Sequence, residues 1–383
     1  MNINYELGRV PRILVGETTF SNLLPVFWGW ETLSIVLIID QAMANTEYLQ
    51  KIKTSLKKYP IGEHVVPAGE PTIQSVNAAA LFARSYPRSV IIGIGGGSAL
   101  DTAKQVAAIV PSHEGIEHYL LAANPFPGRR HLIAIPTTAG TGAEVTRTCI
   151  VSDSNGRKMW TWGEEMLPDI VILDPAVTAS VPATVTTATG LDAFAHALEA
   201  NTGQRQNAVS SAAALQAIRL VRRHLPAAVR DPQNLEARAA LQQAAMLAGT
   251  AIDNAGTGIA HCIGHALGTL YKLPHGIAVT LALEASLEWN IAGASEVYKD
   301  AADVFHVKPH DLPTAFKKLL EDSHFNDAVR GLNDLSLDAN AIGETMNAPE
   351  NQPMLHNNAR TVSDADRLEL AKQTVLAWHK IRA

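Results

Sequence analysis

The chain has only two cysteines in 383 residues, Cys149 and Cys262. That excludes a disulfide framework and a cysteine-built zinc cluster, since both need more thiols. No apolar run approaches the roughly 18 residues a membrane-spanning helix needs. The opening, MNINYELGRVPR, lacks the apolar stretch and small-residue cleavage site of a secretory leader. There is no long basic run, and the formal net charge is -6. Nucleic acid and anionic membranes are therefore poor partners, because clustered Lys and Arg hold both. HExxH is absent, as is any Ser or Cys nucleophile elbow, so a zincin peptidase or a serine hydrolase is unsupported. The expectation is a soluble cytoplasmic protein that acts on a small molecule.

What is present is ordinary globular composition, 47% hydrophobic and 18% charged. The length exceeds what a single core holds, so two domains are expected. Runs at 12–16, 34–40, 63–66, 89–97, 131–138 and 169–175 read as strands, separated by Ala-rich segments of helical spacing. Apolar runs without alternation, separated by helices, predict a parallel sheet covered on both faces. After about residue 180 the patterns are helical, as in TTATGLDAFAHALEAN and NLEARAALQQAAMLAGTAI. The boundaries predicted are 1–180 for an α/β domain and 181–383 for an all-helical one.

The segment GIGGGSALDTAK follows an apolar strand and opens a helix. Gly95, Gly96 and Gly97 let backbone approach a phosphate, and Ser98 with the free N–H groups of the helix start can donate to it. Such turns also serve tight packing, so this one alone does not decide. A second turn, PTTAGTGAEVT, follows the next strand. Its Thr137, Thr138 and Thr141 add hydroxyls, and two such turns at neighbouring strand ends favour a nucleotide. Asp40 closes the strand SIVLIID. There a carboxylate can accept from ribose hydroxyls and repel a 2′-phosphate, which favours NAD over NADP; a solvated strand-end Asp is the plain alternative.

Asp192 and His196 stand at i and i+4, one above the other on a helix, and His261 and His265 repeat the spacing. His275 follows, between Pro274 and Gly276. One carboxylate with several imidazoles suits a divalent first-row metal, although a lone Asp-x3-His pair is more often a simple surface pair. Cys262 lies off the face shared by His261 and His265 and reads as packing.

Taken together, GGGSALDTAK, PTTAGTGAEVT, GLDAFAHALEA and GIAHCIGHALGTLYKLPHG resemble the metal-dependent (iron-containing, group III) alcohol dehydrogenase family. The resemblance runs from RILVGETTFSNL to the last helices. It implies the dehydroquinate synthase-like, group III alcohol dehydrogenase fold, with a dinucleotide-binding α/β domain and an all-α metal-binding domain. The metal ligands it implies are Asp192, His196, His261 and His275, with His265 a catalytic proton carrier. Gly96, Gly97 and Ser98 would hold the pyrophosphate and Asp101 would lie near the nicotinamide ribose. Thr137, Thr138 and Thr141 would line the cofactor, Lys158 would reach the ribose, and Asp40 would go with NAD preference.

The implied activity is a hydride transfer between NAD(H) and a small alcohol or aldehyde. A divalent metal, Fe2+ or else Zn2+, would polarise the substrate oxygen. A homodimer is the symmetric expectation. The chain departs from close relatives at Arg147, Thr148 and Ile252, positions that resemblance sets near the substrate, and has NAR at 358–360 where NPR is usual. An arginine there would suit an anionic phosphono-, sulfo- or carboxy-aldehyde; an ion pair or a cofactor contact is the alternative. A glycerol-type polyol dehydrogenase is the runner-up. A dehydroquinate synthase-type lyase is weaker, because that chemistry expects a Glu ligand and clustered basic residues.

Overall fold

The computed structural model describes residues 4–16, 30–32 and 34–382. The stretch 17–23, part of the opening segment that carries the resemblance, lies outside them. The chain forms two compact units. One comprises Arg9–Thr138 and Ala143–Ala179; the other comprises Ser180–Ala383, Ala139–Gly142 and the segment ending at Gly8.

Eight strands are assigned among the described residues: β1 (Arg12–Val15), β2 (Ser34–Asp40), β3 (Ile61–Val66), β4 (Ser89–Gly95), β5 (Leu132–Pro136), β6 (Thr148–Ser152), β7 (Lys158–Trp162) and β8 (Ile170–Leu173). Six pair in parallel in the order β1-β8-β5-β4-β2-β3. Every residue of β2 but the last is buried, which is why its sequence shows no polar alternation. Ile35, Leu37 and Ile39 pack with Val90, Ile92 and Ile135 on one face. Val36 and Ile38 pack with Ile91, Ala103 and Ala107 on the other. Burying each such isoleucine stabilises the sheet by about 1.5–3 kcal/mol.

The chain leaves β2 for β3 on one side, then returns past β2 to β4, β5 and β8 on the other. The ends of β2 and β4 therefore flank the point where strand order reverses, the usual ligand-binding edge of an open α/β sheet. Asp40 ends β2, the Gly-rich turn leaves β4, and Thr137 donates its backbone N–H to the Gly95 carbonyl at 2.9 Å. The helix Gly97–Ile109 starts directly from this edge.

The hairpin β6–β7 has no counterpart among the strands predicted from sequence. Asp153 builds its turn by accepting from the backbone of Asn155 and Arg157, and Gly156 adopts φ +74°. The dipeptide Asn155-Gly156 is a hairpin signal, but burial alternates over only the five residues of β6 and does not alternate along β7.

After β8 no strand is assigned among the described residues, and none of their helices is long and apolar enough to cross a membrane. The helices Ala183–Thr202, Ala208–Arg230 and Leu235–Ala255 pack through Ala197, Ala200, Ala214, Ala217, Ala244 and Ala248, all fully buried. Small side chains bring the backbones close. Asn207 starts the second of these helices with a capping box shared with Ser210. Gly142 ties the Ala139–Gly142 turn to the third. It has φ +64°, and a Cβ there would stand 2.5 Å from the Gly249 Cα. Only glycine fits.

Candidate functional site

Three consecutive packing decisions bring the metal-type side chains together in the helical unit. The Ala183–Thr202 helix places Asp192 and His196 one turn apart on its buried face. The Ile259–Tyr271 helix brings His261 in its first turn. That helix stops at Lys272, which is left-handed, and Pro274 caps the next one, so His275 is the first residue of His275–Ala294. The ligand atoms of Asp192, His196, His261 and His275 all lie within 4.8 Å of one another. His261 Nε2 and His275 Nε2 stand 3.7 and 3.6 Å from Asp192 Oδ1, and His196 Nδ1 stands 3.9 Å from Asp192 Oδ2.

Buried polar atoms normally have hydrogen-bond partners. Here Asp192 Oδ1, His196 Nδ1 and His261 Nε2 are buried and have none. A divalent cation satisfies all of them at once. Two ligand atoms each about 2.1 Å from an ion stand at most about 4.2 Å apart, so the cluster closes on an ion with small shifts. One carboxylate and three imidazoles form a donor set for a first-row metal. The residues present fit the group.

The electrostatics carry the same mark. Burial works against the Asp192 carboxylate, but His196, His275 and His261 outweigh it and hold its pKa well below the usual range. Burial pushes His196 down to about 4, against the pull of Asp192 and a backbone bond to Gly140. His261 goes the other way. Burial lowers it, yet Glu199 and Asp192 together raise it to about 9. Glu199 is a residue the sequence reading missed. Its Oε2 meets His261 Nδ1 at 2.5 Å, and its Oε1 accepts from the backbone N–H of Ala260 at 2.6 Å. A carboxylate behind a ligand imidazole fixes the ring and directs its other nitrogen at the metal. The available signal was its position three residues after His196, on the same face of the helix.

His265 is outside this ligand group. It sits one turn beyond His261, half-buried, with its ring centroid 5.7 Å from that of His275. Cys262 is fully buried with its thiol against the Met346 carbonyl, and burial pushes its pKa up.

The α/β unit supplies a separate surface. Gly96 is the N-cap of Gly97–Ile109 and brings no side-chain cap to the first N–H groups of that helix. A Cβ on Gly96 would come within 3.3 Å of Thr138 Oγ1, which sets the two turns side by side. Gly97 and Ser98 open the helix, and Thr137 is buried beside them. Thr141 belongs to the short turn that packs with the helical unit. Asp40 accepts from the backbone N–H of Ala42 at 2.9 Å and is half-buried at the end of β2. Lys158 is buried and pairs with Glu70.

Asp101 is buried inside this unit and accepts from the backbone N–H of Ile150 at 2.9 Å. Burial raises its pKa against the pull of Lys104. Lys104, also missed by the sequence reading, is fully buried. It donates to the carbonyls of Ala143 and Thr148 at 2.7 and 2.9 Å and so stitches the Gly-turn helix to the segment after the Thr turn. A buried ammonium needs such acceptors. Nearby Glu144 is pushed up by burial to about 7.

Residues 11–175 match the family "Iron-containing alcohol dehydrogenase", and residues 186–375 match "Fe-containing alcohol dehydrogenase family, C-terminal". The chain belongs to the iron-containing alcohol dehydrogenases. It is 33% identical over 298 residues to the probable alcohol dehydrogenase EutG of Escherichia coli (strain K12), covering 78% of this chain and 75% of that one. It is 34% identical over 312 residues to a sulfoacetaldehyde reductase of Bilophila wadsworthia (strain 3_1_6), with 77% and 79% covered. Among solved structures, the alcohol dehydrogenase from Oenococcus oeni superimposes with a TM-score of 0.87 at 26% identity, over 97% of this chain and all of that one.

The activity of this family member is accordingly a metal-dependent, NAD-linked interconversion of an alcohol and an aldehyde. Of the residues expected near substrate, Arg147 is buried, with Nη1 3.0 Å from Glu164 Oε1 and its guanidinium 5.2 Å from the centre of the Trp162 ring. Thr148 begins β6, and its carbonyl receives Lys104. Ile252 lies on the Leu235–Ala255 helix, partly buried against the helical core.

Proposed function

We propose that this dehydrogenase uses Fe2+ held by Asp192, His196, His261 and His275 to reduce short aldehydes with NADH. The observation that carries the reading is the convergence of four ligand atoms, three of them buried without a hydrogen-bond partner. When bound, a divalent cation supplies Lewis acidity to a carbonyl oxygen and the nicotinamide carries the hydride. Four protein ligands leave room for a substrate oxygen only at coordination five or above, which favours Fe2+ over Zn2+.

The chain's own residues do the rest. Gly96, Gly97 and Ser98 present a helix start to the pyrophosphate, where backbone N–H groups meet anionic oxygens. Thr137, Thr138 and Thr141 line the cofactor, Asp101 and Lys158 are assigned to its riboses, and Asp40 disfavours a 2′-phosphate. His265 carries the proton between the substrate oxygen and solvent; an imidazole one turn from a ligand is placed to give and take it at a ring nitrogen. The assembly expected is a homodimer.

Neutral aldehydes are the preferred class, because Glu164 already balances the Arg147 charge. The anionic class is the second reading, favoured by a buried arginine and by the likeness to a sulfoacetaldehyde reductase. A panel of neutral aldehydes, anionic aldehydes and vicinal diols, scored by kcat/KM with NADH or NAD, separates them. A neutral preference of at least about tenfold, or about 1.4 kcal/mol, retires the role of Arg147 in substrate choice. A reversed preference establishes it, and a chain active only on vicinal diols is a polyol dehydrogenase.

A further inference from the structure

The stretch Asn357–Arg360, where the sequence departs from its family at residue 359, has no place in the chemistry above. Its hydrogen bonds give it one. The helix that carries His261 begins at Gly258, which brings no side-chain cap. The first N–H groups of a helix need outside acceptors. Asn358 Oδ1 accepts from Ile259 N at 3.2 Å, and Glu199 accepts from Ala260 N. Asn358 Nδ2 donates to Asn290 Oδ1 at 2.8 Å, on the helix that begins with His275, and to the Arg360 carbonyl at 2.8 Å. Asn357 Nδ2 donates to the carbonyls of Ala255 and Thr257 at 2.8 and 2.9 Å, the joint just before the His261 helix. Arg360 donates to the Trp289 carbonyl and lies 3.9 Å above the Trp289 ring centre.

We propose that Asn358 is a positioning residue for the metal centre: it clamps the start of the His261 helix to the His275 helix. Glu199, on the helix of Asp192 and His196, grips the same helix start. Two side chains thereby tie all three ligand-bearing helices at one point, where Asn358, Asn290 and Glu199 are all buried. The approach is so close that a Cβ on Gly258 would stand 3.0 Å from Asn358 Oδ1 and 3.1 Å from Glu199 Oε1. His261 is only three residues from Gly258, so a shift of this start moves the ligand with it. A buried, fully bonded network fixes one arrangement, whereas a broken one leaves several. The inference rests on the four-ligand reading of the preceding section.

The test uses the full chain stripped of metal, with Co2+ as the probe, followed by its visible absorption bands and its dissociation constant. Asn358→Ala removes every bond of the side chain, those to Ile259, Asn290 and Arg360 alike. Asn358→Asp keeps an acceptor for Ile259 but loses the donation to Asn290. Co2+ should bind Asn358→Ala at least about tenfold more weakly than wild type, with altered bands, as when the groups behind metal ligands are removed. Asn358→Asp should fall between, and NADH should bind all three within about twofold, by analogy with ordinary distant-site additivity. Wild-type affinity and bands in Asn358→Ala would overturn the proposal. If circular dichroism shows Asn358→Ala unfolded, Asn358→Asp decides, and wild-type Co2+ binding in it overturns the clamp. A wild-type chain that takes up no Co2+ would overturn the four-ligand reading itself, and the clamp with it.

Discussion

Alanine at His261 or His275 is expected to abolish metal retention, whereas alanine at His265 leaves the metal in place and slows turnover. The three histidines lie within fifteen residues, yet their surroundings differ. His261 has its Nδ1 held by Glu199 and its Nε2 turned to Asp192; His275 Nε2 faces the same Asp192 oxygen. Removing either leaves three ligands and takes away one of the three imidazoles that balance the buried Asp192 carboxylate. Lewis-acid assistance is worth several kcal/mol, so its loss should lower kcat/KM by about a thousandfold or more. His265 is one turn further along and outside the ligand group. Its loss removes general acid–base assistance, about a hundredfold in kcat. Elemental analysis beside steady-state rates distinguishes the two classes; a His265→Ala protein that loses its metal contradicts this division.

Glu199→Gln carries the second large effect. The Glu199 carboxylate accepts from two donors, His261 Nδ1 and Ala260 N. A carboxamide has one acceptor oxygen, and its NH2 would face an N–H. Metal affinity should fall about 10–100-fold, the usual cost of removing such a partner. The pH dependence changes as well. In the metal-free protein, burial lowers the His261 pKa, but Glu199 and Asp192 raise it to about 9 against an ordinary 6.5. At neutral pH the metal must therefore displace a proton from that ring.

Wild-type affinity should rise by up to about tenfold per pH unit from 7 toward 9, then level off. By the same linkage, the stability that protonated His261 gives the metal-free fold is complete below 6.5 and lost as pH rises through 9. In Glu199→Gln the proton leaves at lower pH, so the affinity curve should level off earlier. Metal competition titrations at several pH values measure this, and parallel curves for the two proteins would contradict it.

Much of the fold is legible in the sequence because burial on both faces writes itself as unbroken β-branched runs. β2 and β4 show this directly, and alanine-rich helices cover them. The hairpin β6–β7 is hidden because five alternating residues around Cys149 and Val151 carry too little signal. At the metal centre, helical spacing pairs Asp192 with His196 and His261 with His265. The family resemblance replaces the second pairing with His261 and His275, and the packing of three helices gives the physical reason, which no local spacing carries. Glu199 and Lys104 are concealed for a different reason: long charged side chains on helices usually face water. Here each is buried and satisfied by groups far away in sequence. Asn358 is the extreme case, since its partners Ile259 and Asn290 are 99 and 68 residues distant and no local pattern encodes them.

The central claim is that aldehyde reduction depends on one divalent ion held by Asp192, His196, His261 and His275. Its most direct measurement strips the protein with a chelator and titrates Fe2+ back anaerobically while NADH consumption with a short aldehyde is followed. Activity should be absent from the stripped protein, rise linearly to a plateau at one ion per chain, and fail to return in Asp192→Asn. Full activity in the metal-free protein, or full recovery in Asp192→Asn at the same stoichiometry, would contradict the account.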